Sequence, residues 1–177
     1  MMPRILIAYF SHAGENWVDG ALRWIDRGNT RRVAEAIQVL TGGDLFEIRP
    51  LQSYPAGYEA CCAQAKAELE AGARPELAGE MPDMGRYDRI YLGYPLSHGT
   101  MPMPVFTFLE RYDFTGKWLI PFSTHEGGGL GSSVDDILRT ARGGQTLEAV
   151  AFEGSRVGEL ERPILRWVGR TSGRRAR

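Results

Sequence analysis

The 177-residue sequence predicts an α/β fold, a five-stranded parallel sheet covered by helices on both faces. Three observations predict it. Short apolar runs alternate five times with segments of helical period, the pattern of parallel strands joined by crossovers. Three of those runs, 4–10, 89–94 and 117–124, are almost continuously apolar, as strands buried on both faces must be. Each of the three gives way to a polar, glycine-bearing loop that carries one of the three histidines, His12, His98 and His125. Right-handed crossovers leave few topologies, and strand order 2-1-3-4-5 suits five units best.

Element by element, 4–10 is the first strand and an irregular stretch follows it to Gly28. Val33, Ile37 and Leu40 then recur at helical spacing over 29–40, and Thr41-Gly42-Gly43 stops that helix. Residues 44–48 alternate like a half-covered strand, and the alanine-rich 58–70 reads as a helix. After the strand at Ile90, Pro104 opens a helix in a first-turn position that tolerates proline. Pro121 cannot donate to a sheet ladder, so it is expected near the end of the strand that contains Trp118. Ser132 and Asp135 have the spacing of a capping box at the start of a helix over 132–138. A last strand over 146–152 and a last helix over 157–168, interrupted or restarted at Pro163, complete the series.

Composition bounds the function. A chain of this length with 43% apolar residues supports one core, expected over 1–170, with 171–177 a disordered basic tail. The net charge of −1 offers no general field for nucleic acid or an anionic membrane, and the first apolar run is too short to span a bilayer. A cytoplasmic protein is expected. Cys61 and Cys62 are adjacent in a helix, poorly placed to bridge each other, and read as small half-buried thiols. No metal-ligand spacing occurs, so no metal is expected.

The helix that starts at Asn29-Thr30 carries Arg31 and Arg32 in its first turn, where the helix dipole disfavours cations. An anion held over that turn by backbone amides and by the hydroxyls of Ser11 and Thr30 would reverse the penalty. The alternative is that Asn29 simply caps the helix and the arginines point into solvent.

Taken together, Ala8-Tyr9-Phe10-Ser11-His12-Ala13-Gly14-Glu15-Asn16, Gly28-Asn29-Thr30, Gly93-Tyr94-Pro95-Leu96-Ser97-His98-Gly99-Thr100-Met101-Pro102 and Pro121-Phe122-Ser123-Thr124-His125-Glu126-Gly127-Gly128-Gly129-Leu130-Gly131 resemble the flavodoxin family, in particular members with a long first loop. The resemblance runs to about Gly154. It implies a flavodoxin-like three-layer sandwich and non-covalent FMN. By position, Ser11, Asn29 and Thr30 would hold the phosphate, with His12, Gly14 and Asn16 completing the first loop. Pro95, Leu96, Ser97, His98, Gly99 and Thr100 would pass one side of the flavin ring, and Thr124, His125, Glu126, Gly127, Gly128 and Gly129 the other. Two departures stand out. Relatives commonly carry a Trp-Trp pair where this chain has Ser97-His98, so stacking falls to Tyr94, Trp17 or Trp24. Residues 17–27 are inserted between the two halves of the phosphate loop, as in the long-loop relatives.

His125 and His98 are the expected catalytic residues, able to stabilise a reduced flavin or pass a proton, with Glu126 available to orient an imidazole. Each is also readable as a structural hydrogen-bonding residue. The function implied is an FMN-binding oxidoreductase or electron-transfer protein, reducing a small-molecule acceptor of quinone type, with NAD(P)H or a redox protein as partner and a homodimer possible. The alternatives are a one-electron carrier to a protein partner and a ligand-binding module that has lost flavin.

Overall fold

The computed structural model describes residues 2–173. β1 (Ile5–Tyr9) is fully buried and lies between β4 (Asp44–Glu47) and β5 (Arg89–Pro95), both parallel to it. β6 (Trp118–His125) continues the sheet beyond β5 and is bordered by two short parallel pieces, β7 (Gln145–Thr146) and β8 (Val150–Glu153). Counting β7 and β8 as one interrupted strand, the order is the expected 2-1-3-4-5.

The interruption has a local cause and corrects one expectation. Pro121 is not at the end of its strand but in the middle of β6, opposite Leu92 of β5. On the other side, β7 pairs as far as Leu119 and β8 begins at Phe122, so the gap in the edge strand faces the one residue of β6 without an amide hydrogen.

Alternate residues of the strands feed two cores, as a twofold side-chain period requires. Leu6, Ala8, Ile90, Leu92 and Tyr94 pack against α3 (Met103–Glu110) and α4 (Ser133–Thr140). Ile5, Ile7, Tyr91, Ile120 and Phe122 pack against α1 (Asn29–Thr41) and α5 (Glu161–Thr171). Gly93 of β5 is required by close approach, because a Cβ there would lie 2.2 Å from the Phe122 ring. The alanine-rich α2 (Tyr58–Glu70) forms over the expected range and has no fully buried residue. Propensity rather than an apolar stripe accounts for it.

Several boundaries differ from expectation. The irregular stretch before Gly28 is a hairpin of β2 (Gly14–Val18) and β3 (Ala21–Ile25), turned at Asp19 and Gly20, whose φ angles of 50° and 75° are those of a two-residue type I′ loop. Ser132 is the N-cap residue of α4, yet the capping box with Asp135 is not made: the Ser132 hydroxyl donates to Gly99 O and to the Asp136 carboxylate. α1 stops as expected, with Gly42 at φ 63° donating its amide to Gln38 O at 2.7 Å. The last helix begins at Glu161, so Pro163 sits in its first turn, and a 3-10 helix (Gly154–Glu159) precedes it. Thr171 and Ser172 are buried, and Thr171 shares a 2.8 Å hydrogen bond with the Tyr91 hydroxyl. Packing thus reaches two residues into the segment expected to be tail, of which 174–177 lie outside the described residues. Among the described residues, no helix is long and apolar enough to cross a membrane.

Candidate functional site

Because all sheet strands run parallel, the carboxyl ends of β1, β5 and β6 share one rim, and the loops that leave them meet there. The first loop is pinned to the start of α1. Gly28 is the N-cap residue with no side-chain cap and no acid in the first turn, and Asn29, the alternative cap, lies inside the helix. Ser11 Oγ instead accepts the Arg31 amide at 3.1 Å, answering one of the four amides a helix start leaves open while keeping its own proton free to donate. A Cβ on Gly28 would lie 2.2 Å from Ser11 Oγ and 2.6 Å from His12 O, so only glycine lets the loop approach this closely. Arg31 is not left to repel the dipole alone, since Glu35 one turn later binds it at 2.9 Å and also pairs with Arg27.

From the second strand end, Leu96 donates its amide to Thr124 O at 2.9 Å, holding this loop to β6. Residues 97–100 then make a tight turn, with Ser97 and Thr100 exchanging backbone bonds and His98 and Gly99 at φ 48° and 82°. Gly99 is suited to that conformation and His98 is not. The His98 ring bonds Cys62 O of α2 at 3.0 Å, and since a carbonyl only accepts, Nε2 is the donor. Thr100 is buried behind the turn and donates to Asp136, which also receives Ser132 Oγ and pairs with Arg139. Replacing Asp136 with alanine is expected to cost about 2–3 kcal/mol, because it strands the buried Thr100 hydroxyl and unties α4 from the turn. A thermal unfolding curve indistinguishable from the parent's would refute this.

At the third strand end, Thr124 Oγ1 and Thr30 Oγ1 share a 2.7 Å bond, both side chains being buried. One of the two hydroxyl protons closes that bond, and the other is left to donate elsewhere. His125 Nδ1 accepts the Gly127 amide at 2.8 Å, which in the neutral ring puts the proton on Nε2. Glu126 does not orient a histidine: its carboxylate receives the Ser155 amide at 2.6 Å and the Ser155 hydroxyl.

Two adjoining cavities open on this rim. One, of about 150 Å³, collects His12, Asn16, Asn29, Thr30, Pro95, Leu96, Thr124, His125 and Glu126 of the expected residues, together with Trp17, Tyr58 and Gly154. The other, of about 290 Å³, shares His12, Asn16, Tyr58, Pro95 and Leu96 with it and adds Ser97 and His98, with Tyr54, Cys61 and Cys62 on the α2 side. The remaining expected residues do not line these two cavities. Ser11 faces a third cavity of about 380 Å³ toward the end of β4. Gly14, at φ 109°, packs on Ala56, where a Cβ would come within 2.5 Å of the carbonyl oxygen. Gly99 O takes the Ser132 amide at 2.8 Å, and a Cβ on Gly128 would run into Leu96. Gly127 and Gly129, both at positive φ, face open space.

Of the three aromatic residues expected to be available for stacking, Trp17 alone lines either of the two adjoining cavities. Tyr94 is fully buried with its hydroxyl on Ser133, and Trp24 is 63% exposed on β3 with its indole on Asp26, and neither lines either cavity. Trp17 does, tilted against Tyr58 with ring centroids 6.2 Å apart. Tyr58 was the partner hidden in the sequence, an aromatic at a helix start whose amide donates to Glu15 of the hairpin at 3.0 Å. Burial lowers the His12 pKa, and burial together with Cys62 and Glu68 pushes the Cys61 thiol up to about 11, so it stays protonated.

Comparison with known proteins places this geometry. A family model described as flavodoxin matches residues 4–160. A candidate flavoprotein from Bacteroides uniformis is 22% identical with a TM-score of 0.69, the match covering 95% of this chain and 99% of that one. A flavoprotein from Lactobacillus acidophilus in complex with FMN is 22% identical with a TM-score of 0.64, covering 89% and 97%. A Fusobacterium nucleatum flavodoxin bound to flavin mononucleotide is 14% identical with a TM-score of 0.52, covering 96% of each chain. No curated protein sequence matches the chain.

Proposed function

Because this chain belongs to the flavodoxin family, we propose that it binds FMN at the rim and acts in the cytoplasm as an oxidoreductase passing electrons to a small-molecule acceptor of quinone type. The observation that carries the reading is the convergence on one cavity of three strand-end loops and an α1 start whose N-cap residue, Gly28, supplies no side-chain cap. The residues present fit such a group. A phosphate over the first turn of α1 would meet the spare protons of Ser11 and of the Thr30–Thr124 pair, and positive helix polarity. Asn16, Asn29, Pro95, Leu96 and Glu126 would line its path, and Trp17 with Tyr58 offers a ring face. When bound, FMN supplies reversible one- or two-electron transfer.

His125 and His98 then divide the proton work. His125, with its Nδ1 occupied by the Gly127 amide, presents Nε2–H as a donor at the cavity wall. His98, its Nε2–H held by Cys62 O, presents Nδ1 as an acceptor in the neighbouring compartment. That compartment, with Phe10, Tyr54 and Tyr58 in its walls, suits a flat, largely apolar acceptor. A second reading, one-electron transfer to a protein, is favoured by Leu22 and Trp24, which stand 44% and 63% exposed on the hairpin next to the site.

The purified protein is expected to be yellow, or to become so with added FMN, and to bleach anaerobically with NADH or NADPH and recolour with a benzoquinone. A colourless protein that takes up no FMN would refute flavin binding and leave the module that has lost its flavin. Bleaching only by a reduced redox protein would select the carrier reading.

A further inference from the structure

The acceptor compartment of about 290 Å³ and the third cavity of about 380 Å³ have Phe10, His12 and Tyr54 in common, so these three residues form the wall between them. Phe10 and His12 belong to the stretch that leaves β1, while Tyr54 comes from the segment between β4 and α2. The Tyr54 ring is held at both ends. It stands edge-on to Phe10, with centroids 5.5 Å apart and planes at 84°. Its hydroxyl donates to Glu68 of α2, whose second carboxylate oxygen takes the Gln64 amide at 3.0 Å. We propose that Tyr54 is the specificity-determining end wall of the acceptor compartment, selecting a compact single-ring acceptor over a broad fused-ring one. The inference rests on the acceptor reading above.

Space and stiffness both support this role. A cavity of about 290 Å³ stands at the lower end of the range for small-molecule sites. Admitting a longer ring system would mean turning Tyr54 aside, which gives up the edge contact with Phe10 and a hydrogen bond to a carboxylate, the stronger kind. Burial, with Glu68 adding to it, raises the Tyr54 pKa, so the hydroxyl keeps the proton it donates. Behind the ring there is room. The third cavity presents the small residues Ser53, Ala56 and Ala78 there, so a shortened side chain at position 54 would open the compartment into it. Apolar area works against the wall, because a three-ring ligand buries more surface than a one-ring ligand and would bind more tightly in an open site. A preference for the smaller ligand is therefore the signature of the wall.

The test is equilibrium dialysis of the oxidised, FMN-loaded protein against duroquinone, which has one ring, and anthraquinone, which has three. Neither offers an open position on its quinone ring to which Cys61 or Cys62 could add, so both report binding alone. The parent is expected to bind duroquinone more tightly than anthraquinone. Tyr54→Ala is expected to tighten anthraquinone binding by about 10- to 100-fold, a far larger change than that for duroquinone. Tyr54→Phe, which keeps a ring against Phe10, is expected to stay closer to the parent than to the alanine variant. Where alanine does not fold, Tyr54→Leu, which keeps an apolar side chain at the wall but shortens it, is expected to move the preference in the same direction. Anthraquinone bound by the parent at least as tightly as duroquinone, or both quinones gaining equally in the shortened variants, overturns the proposal and leaves FMN binding standing. Binding of FMN but of neither quinone overturns the proposal together with the acceptor reading, and failure to take up FMN overturns the flavin reading as well.

Discussion

Replacing Trp167 with alanine is expected to destabilise the fold by about 3–5 kcal/mol. The side chain is 1% exposed and its indole meets three rings edge-on, Tyr91 at 5.3 Å, Phe152 at 5.8 Å and Phe122 at 6.0 Å. Those rings sit on β5, β8 and β6, so one helix side chain joins three neighbouring strands. Its Nε1–H also donates to Glu148 O at 2.8 Å, next to the interruption in the edge strand. Truncation therefore removes apolar contact, opens a cavity too enclosed to collapse and strands a carbonyl. Urea denaturation followed by circular dichroism checks the value, and a loss below about 1 kcal/mol would show that the three strands do not depend on this ring.

Replacing Gly28 with alanine is expected to weaken FMN binding by roughly 10- to 100-fold, or about 1.4–2.8 kcal/mol. Its backbone, at φ −59° and ψ 146°, is open to any residue, so the effect comes from space alone. Ser11 Oγ could rotate away from the new methyl, but His12 O belongs to the main chain, and relieving a 2.6 Å approach means moving the first loop off α1. That movement separates Ser11 from the Arg31 amide and would spread the groups that meet the phosphate of FMN. Gly169 in α5 supplies the contrast, since a Cβ there meets nothing within 4 Å. Gly169→Ala is expected to raise stability by about 0.5–1 kcal/mol through helix propensity and to leave FMN affinity unchanged. Equal FMN affinities for Gly28→Ala and the parent would refute the close-approach argument.

What was legible in the sequence is what depends on short range. The buried runs, the helix stop at Gly42 and the gathering of the loops after β1, β5 and β6 follow from residue type and from the rule that parallel strands share a rim. The hairpin was also written locally. Asp19-Gly20 is a strong two-residue turn signal, but its flanks, with Asn16 and Arg23 among the large side chains, do not alternate cleanly enough to read as strands. Pro121 is tolerated in mid-strand because its cost is met by a break in a strand some 25 residues later, which no local rule reports. The capping box failed for a related reason: Asp136, one position beyond the expected acid, faces Thr100 from another loop. Within the site, Glu126 with Ser155 and Trp17 with Tyr58 are pairings across 29 and 41 residues. Only tertiary packing reveals them.

The broken fifth strand bears on how this molecule behaves in a crowd. A long, flat outer strand presents a continuous row of open amides and carbonyls on which another chain can add itself. Here the outer border offers two residues, then an offset, then four. A neighbouring molecule finds no uninterrupted template there, so the same proline that deprives the sheet of one ladder bond also guards the protein against edge-to-edge association.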